Sequence, residues 1–347
     1  MIFRLAIVGF GNVGQEFSRL LLSKRDWLLK SKGLDIEVLA ISTKSRGSLL
    51  SNRSLDLERV LGMLKSNDSL EGYGAENSQL TPLQIIDKTD ADMMIELTPL
   101  NIENGQPAID HIKAAFEVGL DVVTANKGPI AFAYSELRAL ARSRNVRFRF
   151  EGTVMDGSPI FSLVERTLPG CEILGIEGVL NSTSNFVLTE MSRGGSMQDA
   201  IGKAQALGFA EADPSLDIDG WDAAAKITAM ANVLMDARST PKEVQRQGIR
   251  EVTSSDLQSA KDQGKRLRLV ASAERKGESV ALSVRPALVD GSSPYWSLEG
   301  TSSAVTLKTD LMGDLTILET NPTVTQTAYA ILSDLLLVVE SIRTGTM

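Results

Sequence analysis

Gly9-Phe10-Gly11-Asn12-Val13-Gly14 is the stretch that decides the reading of this chain. It follows a short apolar and β-branched run, residues 3–9. It opens a stretch, 13–29, with Phe17, Leu20, Leu21 and Leu28 on one face. A continuous apolar run of that length reads as a buried parallel strand, and apolar residues three and four apart read as a helix. G-x-G-x-x-G gains its meaning from this strand-to-helix context. Gly9 permits the tight turn, Gly11 leaves room for a pyrophosphate against the backbone, and Gly14 lets the helix pack close to the strand. The helix start then offers unpaired N–H groups and a positive dipole end to phosphates. Gly9, Phe10, Gly11, Asn12, Val13 and Gly14 are therefore candidate dinucleotide-binding residues.

Working outward, strands read at 36–41, 91–97, 120–124 and 146–150, and helices at 55–64, 108–118 and 134–142. Strict alternation predicts an α/β fold, with a Rossmann-type doubly wound parallel sheet over 1–150. The second strand should end at the adenosine ribose, where a site restricted to NAD usually carries a carboxylate. Here the chain reads Ile41-Ser42-Thr43-Lys44-Ser45-Arg46. Thr43 and Lys44 join the cofactor candidates, and Lys44 and Arg46 could pair with a 2′-phosphate. NADP and NAD both stay open. The polar stretch 67–78 reads as a mobile loop.

The pattern changes after Glu151. A long strand at 171–180 precedes helices at 185–191, 197–207, 222–235 and 256–264, then strands at 267–274, 279–288, 304–309 and 315–318. This predicts a second α+β domain over 151–319. The final helix, 324–342, has no strand after it, so the segment 320–345 is expected to return to the first domain.

Composition excludes several functions. No apolar run reaches the roughly 20 residues a bilayer span needs. The N-terminus shows no signal peptide, which leads to a cytoplasmic expectation. A single cysteine, Cys171, rules out an intrachain disulfide and suits a reducing compartment. The net charge of −8 argues against a nucleic-acid partner. The single histidine, His111, excludes a His-rich metal site and a Ser-His-Asp triad. Its neighbours, Ile109-Asp110-His111-Ile112-Lys113, suggest a surface position on a helix.

Three further stretches carry chemistry. Thr124-Ala125-Asn126-Lys127-Gly128-Pro129 follows a strand, so Lys127 falls in the ligand crevice. Gly208-Phe209-Ala210-Glu211-Ala212-Asp213-Pro214 leads to Asp217-Ile218-Asp219-Gly220-Trp221-Asp222, and Lys226 follows. Asp222 and Lys226 are four apart and share a helix face. Taken from the residues alone, that pair is an ordinary exposed ion pair of a few tenths of a kcal/mol.

In this order the motifs resemble those of the homoserine dehydrogenases, over nearly the whole chain. That family shows the dinucleotide fingerprint, a T-x-N-K segment, an N-G-T-x-N-Y stretch matched by residues 181–186, and G-[YF]-x-E-x-D-P leading to D-x-x-x-K. Short archaeal-type members without a regulatory tail are nearest in style. The resemblance implies reversible NAD(P)-dependent interconversion of L-homoserine and L-aspartate 4-semialdehyde, in threonine and methionine biosynthesis, by a homodimer paired through the second domain's sheet. It implies Lys226 as the acid–base group, oriented by Asp222. Lysine must be neutral to accept a proton, and burial near other cations such as Lys127 lowers a lysine's pKa. Lys127 would contact the reacting oxygen and Glu211 the substrate ammonium. Thr98 and Asn126 would line the nicotinamide pocket, with Gly208 near the cofactor.

Glu151-Gly152-Thr153-Val154-Met155-Asp156-Gly157-Ser158 is similar to the family turn that holds a monovalent cation, which implies Glu151, Val154, Asp156 and Ser158 as ligands. Met155 and Asp156 replace a glycine and a small residue. The family's glycine-rich loop near the end is replaced by residues 318–328, which contain Pro322 and no glycine. Two other readings accompany the first: another NAD(P)-dependent amino-acid dehydrogenase, such as one acting on aspartate or diaminopimelate, and a cofactor-binding member with lost or altered catalysis.

Overall fold

The structure is a computed structural model that describes residues 1–74 and 79–346. It divides into two compact units, Met1–Gly157 with Thr323–Met347, and Ser158–Pro322.

In the first unit the chain runs β1 (Ile2–Val8), α1 (Asn12–Lys32), β2 (Asp35–Ser42), β3 (Ser48–Leu50), α2 (Leu57–Asn67), α3 (Pro82–Lys88), β4 (Met93–Glu96), α4 (Ala108–Glu117), β5 (Asp121–Thr124), α5 (Lys127–Arg144) and β6 (Phe148–Arg149). The sheet order is β3-β2-β1-β4-β5-β6. All pairings are parallel except β2 with β3, an antiparallel edge of only three residues that the sequence pattern does not reveal. Both faces are covered, which is why β4 and β5 are buried at every residue. Asn126 starts α5 earlier than apolar spacing suggests, because its side chain accepts from Gly128 N.

The second unit contains α6 (Phe161–Thr167), β7 (Ile173–Val179), α7 (Ser182–Ser192), α8 (Met197–Ala206), α9 (Ser215–Ile218), α10 (Trp221–Leu234), β8 (Gln245–Arg246), α11 (Ser254–Asp262), β9 (Arg266–Lys276), β10 (Ser279–Val289), β11 (Ser303–Thr309) and β12 (Asp314–Glu319). Its sheet order is β12-β11-β7-β9-β10-β8, antiparallel except for β8 with β10. Alanines 223–225, 229 and 231 are all buried along α10. Their small side chains suit a helix and let its backbone lie close to its neighbours.

The final helix, α12 (Val324–Thr344), belongs to the first unit. Its Ala328, Ile331, Leu335 and Val338 join Phe3, Phe17, Leu28, Ile41 and Ile95 in one core. Leu335→Ala would leave a cavity there, and is expected to destabilise the protein by about 2–5 kcal/mol in urea unfolding.

Two expectations need correction. His111 is not a surface residue but is 4% exposed. The helix face it shares with Ala108, Ile112 and Ala115 turns inward against the sheet. The stretch 67–78 lies partly outside the described residues, at 75–78, but its beginning is built in. Leu70 is buried and its N–H donates to Arg46 O at 2.8 Å.

Candidate active site

The glycines after β1 divide the labour. Gly9 has φ +94°, and a Cβ there would stand 2.4 Å from Leu97 C and 2.7 Å from Thr98 N. Gly14 would place a Cβ 3.0 Å from Gly9 O, which is the close helix–strand packing expected of it. A Cβ at Gly11 would meet nothing within 4 Å, so space lies open over the start of α1. Gly11 is the N-cap and supplies no side-chain cap, and the first turn carries no acidic residue. Asn12 and Val13 open the helix. The amides and dipole of that turn are unopposed, so the residues fit a dinucleotide's phosphates. Phe10 is buried in the core, so only its backbone faces the loop. The start of α12 differs. Thr323 and Gln326 form a reciprocal cap in which Thr323 N donates to Gln326 Oε1 at 2.9 Å, so side chains satisfy amides that a glycine loop would offer.

At the end of β2, Thr43 Oγ1 donates to Gly47 O at 2.7 Å and accepts from Arg46 N at 2.8 Å. This fixes a tight turn with Lys44 and Ser45 exposed. Arg46 does not stand open to solvent. Its Nε pairs with Asp68 Oδ1 at 2.7 Å, and Asp68 is the left-handed C-cap of α2. The carboxylate that the sequence lacks at this strand end thus arrives from a distant helix.

At the ends of β4 and β5, Asn126 Nδ2 donates to Thr98 O at 2.9 Å and Gly128 N donates to Asn126 Oδ1 at 2.9 Å. Beneath them Glu96, which sequence reasoning missed, accepts from Thr98 N at 3.0 Å and Thr124 Oγ1 at 3.0 Å, and also from Thr98 Oγ1. Its only signal was an acidic residue ending an apolar strand. Lys127 is half-buried in the first turn of α5.

The second unit assembles a polar cluster. Lys226 Nζ lies 3.0 Å from Asp222 Oδ2 and donates to Leu180 O at 2.8 Å. Asn181 Nδ2 donates to Asp217 Oδ1 at 2.6 Å and Asp222 Oδ2 at 2.9 Å. The Asp222–Lys226 pair is therefore part of a network and not an isolated surface bridge. Burial, then repulsion from Asp222, raises the Asp217 pKa, against the opposing pull of the Asn181 hydrogen bond and the Lys226 charge. Sequence reasoning quoted Asn181 and Asp217 without seeing that they meet. Nothing in the spacing tells which aspartate of Asp217-Ile218-Asp219 turns toward Asn181. Asp219 turns the other way, into a bidentate pair with Arg250 at 2.7 and 2.9 Å. Gly208, at φ +81°, and Glu211 lie on the stretch after α8. There the Glu211 carboxylate is exposed, with no protein hydrogen bond among the described residues, and its carbonyl accepts from Gln205 Nε2 at 3.0 Å.

Glu151 and Val154 are buried in the turns after β6, where Met155 and Asp156 take φ +45° and +48°. Both adopt the left-handed backbone that glycine favours. Asp334 of α12 anchors the turn by accepting from Glu151 N at 2.7 Å, and Thr327 Oγ1 donates to Asp156 Oδ1 at 3.3 Å. Ser158 begins the second unit. Among the described residues no group of three or more His, Cys, Asp or Glu side chains could hold a metal ion, and no helix is long and apolar enough to cross a membrane.

Comparison with known proteins accords with this arrangement. The family profile "Homoserine dehydrogenase, NAD binding domain" matches residues 9–151, and the profile "Homoserine dehydrogenase" matches residues 159–336. An NAD(+)-dependent homoserine dehydrogenase of Pseudomonas canavaninivorans is 35% identical, over 96% of this chain and 95% of that one. The homoserine dehydrogenase of Methanocaldococcus jannaschii is 36% identical, over 98% and 99%. A solved hyperthermophilic archaeal homoserine dehydrogenase in complex with NADPH superposes with a TM-score of 0.84, at 30% identity and 98% coverage of both chains. With both units matched by their own profiles and full-length relatives above 30% identity, the chain belongs to the homoserine dehydrogenase family.

Proposed function

We propose that this chain catalyses the reversible oxidation of L-homoserine to L-aspartate 4-semialdehyde with NAD or NADP. The observation that carries the reading is the Asn181–Asp217–Asp222–Lys226 network, which holds an amine at a fixed place among carboxylates. When bound, the nicotinamide takes up the hydride. Lys226 in its neutral form accepts the hydroxyl proton, and its ammonium returns the proton in the reverse direction. Asp222 and Leu180 O fix the lysine's position. Glu211 and Asp217 face the substrate ammonium, and Lys127 contacts the reacting oxygen. Gly9, Gly11, Gly14 and the first turn of α1 hold the pyrophosphate, Thr43 and Lys44 the adenosine ribose, and Thr98 and Asn126 the nicotinamide end; Gly208 is assigned a cofactor contact by the family resemblance alone. A sodium or potassium ion on main-chain oxygens of Glu151, Val154, Asp156 and Ser158 is part of the proposal, supported by the left-handed path at Met155 and Asp156. So is a homodimer paired through the second sheet. Supporting it, the edge strand β12 has no fully buried residue although it carries Leu315, Ile317 and Leu318.

NAD(P)H absorbance with homoserine, aspartate and diaminopimelate tests the reading. Turnover is expected with homoserine alone, and turnover of either other amino acid in its place would overturn it. Two variants sharpen the picture. Asp68→Asn releases Arg46 from its carboxylate, and is expected to shift kcat/KM toward NADP by about tenfold. Asp217→Asn tests the pH behaviour. Because the folded state raises this pKa, it holds the proton more tightly than the unfolded chain does. The favourable contribution is therefore complete below the ordinary carboxylate range and is lost as pH rises through the raised value. At neutral pH the variant should melt at a higher temperature, while its homoserine KM rises about ten- to hundredfold as a charged hydrogen bond is lost.

A further inference from the structure

We propose that Glu96 and His111 are positioning residues that set the nicotinamide end of the dinucleotide site through Thr98 and Asn126. The inference rests on the dinucleotide reading given above.

Glu96 ends β4, and its carboxylate is 0% exposed. The residues before it on the strand, Met93, Met94 and Ile95, are apolar, and an apolar residue would fill this place without burying a polar group. Instead the position holds a carboxylate served by three donors. Thr98 N and Thr98 Oγ1 reach Oε1, and Thr124 Oγ1 reaches Oε2. His111 Nδ1 stands 3.9 Å from Oε1 on the helix side, buried and without a hydrogen-bond partner of its own. A buried polar atom left unsatisfied is uncommon and is a sign of a constraint other than packing. The imidazole is the polar group that α4 brings toward the Glu96 side chain.

What Glu96 holds explains the cost. Thr98 N abuts the phosphate loop, since a Cβ on Gly9 would come within 2.7 Å of it. Thr98 O and Thr98 Oγ1 accept from Asn126 Nδ2 at 2.9 and 3.4 Å. Thr124 Oγ1 accepts from Asn126 N at 3.0 Å. One carboxylate thus ties together the two strand ends on which the pocket's polar groups sit. In a doubly wound sheet each half takes one mononucleotide, the adenosine half lying over β1, β2 and β3. Glu96, Thr98, Thr124 and Asn126 all belong to the other half, so a defect in this brace should be felt most by the nicotinamide moiety, and by the pyrophosphate only through the place where Thr98 N abuts Gly9.

Calorimetric titration with the reduced dinucleotide and with ADP-ribose, which lacks the nicotinamide, separates the possibilities. Glu96→Gln is expected to weaken NADH or NADPH about tenfold or more, while ADP-ribose, which feels the brace only through Thr98 N beside Gly9, weakens by no more than about threefold. His111→Gln should act in the same direction, less strongly. Thr124→Val removes, at constant shape, both the donor to Glu96 and the acceptor for Asn126 N, and should reproduce the selective loss, with Thr124→Ser, which keeps the hydroxyl, affected less. That pair serves if Glu96→Gln does not fold. A purely structural role would lower Tm and weaken both ligands together, or neither, and either result overturns the proposal. Wild type that binds neither ligand would instead overturn the dinucleotide reading itself.

Discussion

Lys226→Ala should lower kcat for homoserine oxidation by about 10²- to 10⁴-fold, the usual weight of a general acid–base group. The reaction removes a hydroxyl proton as hydride leaves the same carbon, and without a local base that proton must go to water. The geometry makes the lysine specific. Leu180 O and Asp222 fix its ammonium, and Asn181 couples Asp222 to Asp217. Dinucleotide affinity should be unchanged, because the glycine loop belongs to the other unit. Removing the side chain also takes a partner from Asp222 and from Leu180 O, so some loss of stability should accompany the kinetic defect. Lys226→Met, which fills more of the space, is the companion variant. Initial rates and an unfolding curve decide the matter: a folded variant that turns over homoserine at the wild-type rate removes Lys226 from the role.

The glycine loop yields the second large effect. Gly9→Ala should cost about 3 kcal/mol or more and abolish dinucleotide binding, since it combines a positive φ with backbone overlap at Leu97 and Thr98 that no rotamer relieves. Gly11→Ala should behave differently. Its φ is −80° and its Cβ meets nothing, so the protein should unfold like wild type, yet bind the dinucleotide more weakly because a methyl group occupies the phosphates' space. Urea unfolding and NADH titration on both variants check the contrast. Equal stability losses would remove the distinction between a glycine needed by the chain and one needed by the ligand.

The order of elements was legible because parallel strands covered on both faces are written as unbroken apolar runs, as in Met93–Glu96. What stayed hidden was short or depended on packing. β3 has three residues and α3 has seven, too few to establish a period. His111 was misjudged by residue type. Ala108 and Ala115, three and four residues away, mark its face, but a histidine between an aspartate and a lysine reads as solvated. Arg46 was legible as a cation near the ribose, whereas Asp68 comes to it only through a left-handed helix cap. The lysine and aspartate on α10 could be paired by their spacing, but their tie to Asn181 crosses 41 residues and exists only in the fold.

The return of α12 has a consequence for synthesis on the ribosome. The second unit is one continuous segment and has all its residues before Thr323 is made, whereas the nucleotide-binding core waits for its last helix. At ordinary translation rates roughly ten to thirty seconds separate Gly157 from Thr323. Throughout that interval the nascent chain carries Phe3, Phe17 and Leu28 without their covering layer, a greasy face suited to a chaperone. Of the two units, the one begun earlier is thus the one completed later.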